Sequence, residues 1–208
     1  MRSVIDSKPQ QVRVVHGFGV ASIVFRPLLN NLNRRSMSAS LFRYPSLGLP
    51  LQTIVEGIAE DLVTSKPAGI VAHSLGCVAT VLAVSQVDWR GPIVLLAPPF
   101  SPIPITAFIP SLLRYPFGPL LDQRMLLSRE DFQLPSIPEC RKLVIAGRFD
   151  LTVPIRCTKS YRVDEYRSVQ HTHNSMLVSS KVADLCMHWL RENRGMSPER
   201  PASNRRDQ

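Results

Sequence analysis

Cysteine is scarce in this 208-residue chain, and the four present, Cys77, Cys140, Cys157 and Cys186, form no CxxC pair and no Cys/His cluster. A zinc site of the ribbon or finger type is therefore excluded, and buried, reduced thiols are expected. Blocks of like charge are absent too. The 25 Lys+Arg against 16 Asp+Glu leave a formal +9, but no five or six like charges run together and no basic helix is interleaved with aromatics. Nucleic acid is not expected as a partner. The opening MRSVIDSKPQQ carries charge with no apolar stretch behind it, so no secretory signal is read and a cytoplasmic location is expected. Internal repeats and low-complexity tracts are missing. One long stretch, 91–113, holds no charged residue at all, yet Pro92, Pro98, Pro99, Pro102, Pro104 and Pro110 fall inside it. That many missing N–H groups argue against a membrane span and for a buried strand followed by an apolar, proline-stiffened loop.

What is present suffices for a real core: 44% of residues are hydrophobic and 20% charged, in a length that fits one domain. The expected domain covers 1–195, and 196–208 reads as a disordered basic tail with two prolines and no apolar period. Buried-strand runs recur at Val12–Val15, Ser38–Phe42, Gly69–His73, Ile93–Ala97 and Leu143–Ala146. Between them the apolar period is helical, at Ile23, Leu28 and Leu32, at Ile54, Ile58 and Leu62, and at Val78, Val81 and Leu82. A C-terminal amphipathic helix carries Val182, Leu185, Trp189 and Leu190 and is expected to end at Gly195. Alternating strands and helices predict an α/β fold with a parallel sheet and helices on both faces, and they place ligands at the carboxyl ends of the strands.

Four strand ends carry chemistry. The strand ending at Val71 runs through Ala72-His73-Ser74-Leu75-Gly76 straight into a helix, so Ser74 sits on a sharp elbow, and Ala72 and Gly76 are small where strand and helix backbones nearly touch. The alternative for Ser74 is a plain helix N-cap. The Leu75 N–H, at the positive end of that helix, is a candidate donor to a developing oxyanion. His16-Gly17-Phe18-Gly19 closes the first strand and offers Phe18 as a second donor, with His16 shaping the loop. Asp150 lies in Gly147-Arg148-Phe149-Asp150, ahead of a helix that Pro154 is expected to begin. His171 and His173, in the loop before the last helix, are both placed to reach a serine and an acid. Cys77 beside the elbow is a rival nucleophile, although its helix should turn it into the core.

With "HGFG", "AHSLG", "GRFDLTVP" and "HTHNSML" in that order across residues 16–177, the chain resembles the α/β-hydrolase superfamily. It is most similar to small bacterial lipase/esterase-like hydrolases with an HGF-type opening, a Tyr44-Pro45-Ser46 strand end and a final histidine followed by x-x-Met-Leu. The resemblance implies Ser74 as nucleophile, Asp150 as acid, His173 rather than His171 as base, and oxyanion donors at Phe18 and Leu75. It implies cleavage of a carboxylic ester on a small acyl substrate through an acyl-enzyme, with no metal or organic cofactor needed. Two departures stand out. Ala72 replaces the first elbow glycine, and the antiparallel strands that often open this fold have no counterpart, so a trimmed sheet of about six strands is expected. The apolar segment of about 100–127 is expected to form a small lid lining an acyl pocket. A hydrolase-fold protein without turnover, binding a small molecule or a partner, is the alternative, and other chemistry on the same three side chains is a third.

Overall fold

The computed structural model describes residues 10–17, 21–35, 37–45, 48–101, 133–137 and 139–194. Phe18, nearly all of the expected lid and the tail 196–208 lie outside the described residues. Six strands form one sheet: β1 (Gln10–Val15), β2 (Met37–Phe42), β3 (Gly69–His73), β4 (Ile93–Leu96), β5 (Lys142–Gly147) and β6 (Glu165–Val169). Their order is β2-β1-β3-β4-β5-β6, and every neighbouring pair is parallel. Four helices are described: α1 (Arg26–Asn33), α2 (Leu51–Ser65), α3 (Leu75–Val84) and α4 (Ser180–Glu192).

β3, β4 and β5 are buried at every position, and apolar but for His73 at the end of β3 and Lys142 at the start of β5, because both faces are covered. On one face Ile70, Ala72, Ile93, Leu95 and Val144 pack with Ile54, Ile58 and Leu62 of α2 and with α3. On the other, Val71, Val94, Leu96, Leu143 and Ile145 meet Leu28 and Leu32 of α1 and Val182, Cys186 and Trp189 of α4. The strand period of two thus sorts alternate residues into two cores. Each fully buried aliphatic side chain there contributes about 1.5–3 kcal/mol. None of the described helices is long and apolar enough to cross a membrane.

Several strand and helix ends depart from expectation, and Ile23 lies in a 3-10 turn (Ser22–Phe25) ahead of α1 rather than in the helix with Leu28 and Leu32. β4 stops at Leu96 because Ala97 adopts φ 48°, turning the chain out of the sheet. Pro154 begins only a single 3-10 turn, Ile155–Thr158. α4 ends at Glu192, before Gly195, where both the backbone N–H and the side-chain amide of Asn193 bond the Trp189 carbonyl (3.1 and 3.0 Å) and take up that end of the helix.

The strand order reverses at β1: the chain goes outward to β2, then returns past β1 to β3. Crevices open at such a switch point, outside the carboxyl ends of the two strands. Here these ends are His16-Gly17 and His73-Ser74. Gly76 is what lets them approach. A Cβ built on it would lie 2.4 Å from the His16 carbonyl oxygen and 2.9 Å from that of Val15, both of them backbone atoms in a central strand and its exit. Gly76→Ala is accordingly expected to cost ~3 kcal/mol or more, the upper end for overpacking a core, read as a lowered urea midpoint at unchanged m-value.

Candidate active site

Ser74 joins β3 to α3 with φ 56° and ψ −129°, a backbone conformation rare for any residue with a side chain. Its N–H donates to the Leu96 carbonyl (2.9 Å) and its own carbonyl accepts from the Cys77 N–H (2.9 Å), so the elbow is pinned from both sides. The hydroxyl does not cap the helix. A serine held in this conformation with its hydroxyl unspent is not explained as an N-cap. The Leu75 N–H, at the first position of α3, has no acceptor among the described residues. Gly17 packs against this corner: a Cβ on it would meet Ser74 Cβ at 2.8 Å.

Asp150 follows β5 in a loop that Gly147 makes possible, since a Cβ there would lie 2.5 Å from the His171 carbonyl oxygen. The Asp150 side chain is wholly buried and fully committed. Oδ1 accepts the N–H groups of Thr152 (2.9 Å) and Val153 (2.8 Å), and Oδ2 lies 2.7 Å from His173 Nδ1. His171 is directed elsewhere, with Nδ1 3.3 Å from the Ser175 hydroxyl. Between two histidines two residues apart, the turn at His173 and Asn174 hands only the second to the acid. No hydrogen bond within 3.5 Å joins the Ser74 hydroxyl to the His173 ring, so the acid–base pair is closed and its link to the serine is open. Links of this kind commonly tighten only when substrate is bound.

His16 is buried and held in place at the end of β1. Its ring stacks on Tyr44 (centroids 3.8 Å apart, 11° between planes), Nδ1 donates to the Gly17 carbonyl (2.8 Å), and the Tyr44 hydroxyl donates to the His16 carbonyl. Burial lowers its pKa below the ordinary value. Cys77 is buried, its Sγ donates to the Leu96 carbonyl at 3.4 Å, and desolvation pushes the thiol well up, so it is no rival nucleophile. Among the described residues no His, Cys, Asp or Glu cluster could hold a metal.

No protein-family model and no curated protein matches the chain by sequence. Solved structures do. An extracellular α/β-hydrolase from a Paenibacillus species superposes with a TM-score of 0.64 at 12% identity, over 88% of this chain and 100% of that one. The RedJ thioesterase of prodiginine biosynthesis in Streptomyces coelicolor gives 0.60 at 12%, over 88% and 87%. The esterase domain of a Rhodothermus marinus protein gives 0.59 at 17%, over 90% and 89%. The chain has the α/β-hydrolase fold.

Within the α/β-hydrolase fold, Ser74 occupies the strand-to-helix elbow, while Asp150 and His173 stand on the loops after β5 and β6. Ala72, where a glycine is common, is accommodated: it is fully buried between β3 and the α2–α3 layer. The six described strands are those expected of a trimmed sheet. One residue to which the sequence analysis assigned no role is His73. It is fully buried, lies edge-on to Phe25 (5.7 Å), and its Nε2 is 3.0 Å from the His173 carbonyl oxygen. Burial, with His173 alongside, brings its pKa down to about 3 from 6.5.

This shift has a consequence for acid stability. Above pH 6.5 the His73 ring is neutral whether the chain is folded or unfolded. Below it the unfolded chain takes up a proton that the folded chain refuses until about 3, so stability falls with pH across that window and levels off beneath it. At about 1.4 kcal/mol per pKa unit the loss amounts to a few kcal/mol. Urea unfolding of wild type and His73→Leu as a function of pH measures it: the wild-type curve is expected to fall more steeply through the window.

Proposed function

We propose that this chain is a serine hydrolase of the α/β-hydrolase superfamily that cleaves carboxylic esters or thioesters through an acyl-enzyme on Ser74. The observation that carries the reading is the 2.7 Å contact of Asp150 Oδ2 with His173 Nδ1, standing beside a serine on a φ 56° elbow. In this mechanism Ser74 Oγ attacks the carbonyl carbon while His173 Nε2 accepts its proton. Asp150 stabilises the resulting imidazolium through Nδ1–H. The N–H groups of Leu75 and Phe18 take the oxyanion, and α3 presents its positive end to it. His173 then gives the proton to the departing alkoxide or thiolate, and water, activated by the same histidine, releases the acid. Esterase and thioesterase neighbours support the substrate class. Phe149 and Leu151, on either side of buried Asp150, are exposed apolar side chains on the same loop, a surface compatible with an acyl substrate.

The test is turnover of p-nitrophenyl esters from acetate to palmitate, and of acyl thioesters of matching length, together with labelling by a fluorophosphonate probe. Saturable hydrolysis with the label on Ser74 supports the reading. Folded protein inert in both series and unlabelled at Ser74 overturns it in favour of a binding module on the same fold.

A further inference from the structure

His73 holds a polar ring where the fold needs only volume. Its Nε2 lies 3.0 Å from the His173 carbonyl oxygen. A carbonyl only accepts, so Nε2 carries the ring proton and Nδ1 is a bare lone pair. That Nδ1 is buried with no hydrogen-bond partner among the described residues. An aliphatic side chain of similar size would fill the space between Phe25 and His173 without stranding a buried acceptor. What the imidazole adds is one donor aimed at the backbone of the residue that carries the base.

The sheet explains why such a donor matters. His173 arrives on the loop after β6, at the sheet edge, and its tether to Asp150, like the bond from the Phe149 N–H to the His171 carbonyl (3.2 Å), ties that loop to the end of β5. β5 is separated from β3, which carries the elbow, by β4. The Asp150 contact therefore orients the base without fixing its distance from Ser74. Among the described residues, the His73 bond is the direct hydrogen bond from the elbow to the base loop, made by the residue adjacent to Ser74 onto His173 itself. We propose that His73 is a positioning residue, which sets the separation of nucleophile and base by hydrogen-bonding the His173 backbone from the position next to Ser74. The inference rests on the hydrolase reading above. The ring also suits the place electrostatically, because a neutral imidazole 4.7 Å from the His173 ring does not oppose the charge the base takes up.

The experiment compares wild type, His73→Leu and His73→Gln near pH 8. Readouts are kcat and KM on the best ester, Tm, the rate of Ser74 labelling by a fluorophosphonate, and the downfield proton resonance of His173 Nδ1–H. Leucine fills the site without a donor and is expected to lower kcat about 10- to 100-fold, the scale for a base misplaced by about 1 Å. KM should change little, and Tm should be equal or higher, since the stranded acceptor is gone. Glutamine, whose amide nitrogen reaches the carbonyl, is expected to recover most of the loss. Wild-type kcat in His73→Leu overturns the proposal, as does activity that falls only with Tm and is not rescued by glutamine. If wild type turns over neither ester nor thioester, the substrate class fails by itself, and the labelling rate and His173 resonance still decide the geometry. Both altered in the leucine variant and restored by glutamine support positioning, and any other pattern overturns it.

Discussion

Replacing Ser74 with alanine is expected to abolish ester hydrolysis, by on the order of a millionfold in kcat, as removal of a triad nucleophile does. Binding should survive, because the variant keeps the Leu75 N–H, the end of α3 and the Asp150–His173 pair. The backbone supplies a second readout. Ser74 occupies φ 56° and ψ −129° without any capping bond from its side chain, and alanine has the same Cβ, so the strain neither grows nor is relieved. Tm should therefore stay close to that of wild type. A stopped-flow or discontinuous assay of the folded variant, at enzyme concentrations high enough to see a millionfold loss, tests this. Activity within about tenfold of wild type would remove Ser74 from the chemistry.

Asp150→Asn is expected to lower kcat by about 10⁴-fold, through the tautomer of His173 rather than through misplacement. The argument turns on the two backbone donors. The Thr152 and Val153 N–H groups both point at Oδ1 (2.9 and 2.8 Å), so an asparagine must put its carbonyl oxygen there and its NH2 toward His173 Nδ1. Nδ1 then has to accept, which leaves the proton on Nε2, the nitrogen that must receive the Ser74 proton. Nitrogen-15 NMR of the variant should show the neutral Nε2–H tautomer of His173, with Tm little changed because every backbone bond is kept. A variant near wild-type activity would mean that Asp150 does not orient the base.

Legibility in the sequence followed the range of the interactions. The elbow was legible because strand, small residue, serine, small residue and helix are all local. The reason Gly76 has to be small is already implied by a strand and helix meeting at a sharp turn, and the structure adds only which atoms crowd it, the carbonyls of Val15 and His16. The Asp150 loop was legible through Gly147 and the strand before it. The helix expected from Pro154 was not realised, because proline makes a favourable first position without supplying the apolar stripe that would hold a helix against the core. Only Cys157 and Thr158 of that turn are buried.

By itself, the sequence determined the α/β alternation, the burial of the central strands on both faces, the order of the chemistry-bearing loops and the sharp turn at Ser74. Each is written in a window of a few residues, as a period of two, a period of 3.6 or a glycine. The tertiary structure decided the partnerships. It brought His173, which the resemblance had preferred to His171, onto Asp150, committed the second Asp150 oxygen to the Thr152 and Val153 N–H groups, and gave His73 a carbonyl acceptor 100 residues away in the chain. Pairings at that separation are set by how strands stack in the sheet and by where loops leave its carboxyl edge. A local pattern carries no trace of the bond from His73, beside Ser74, to the His173 carbonyl.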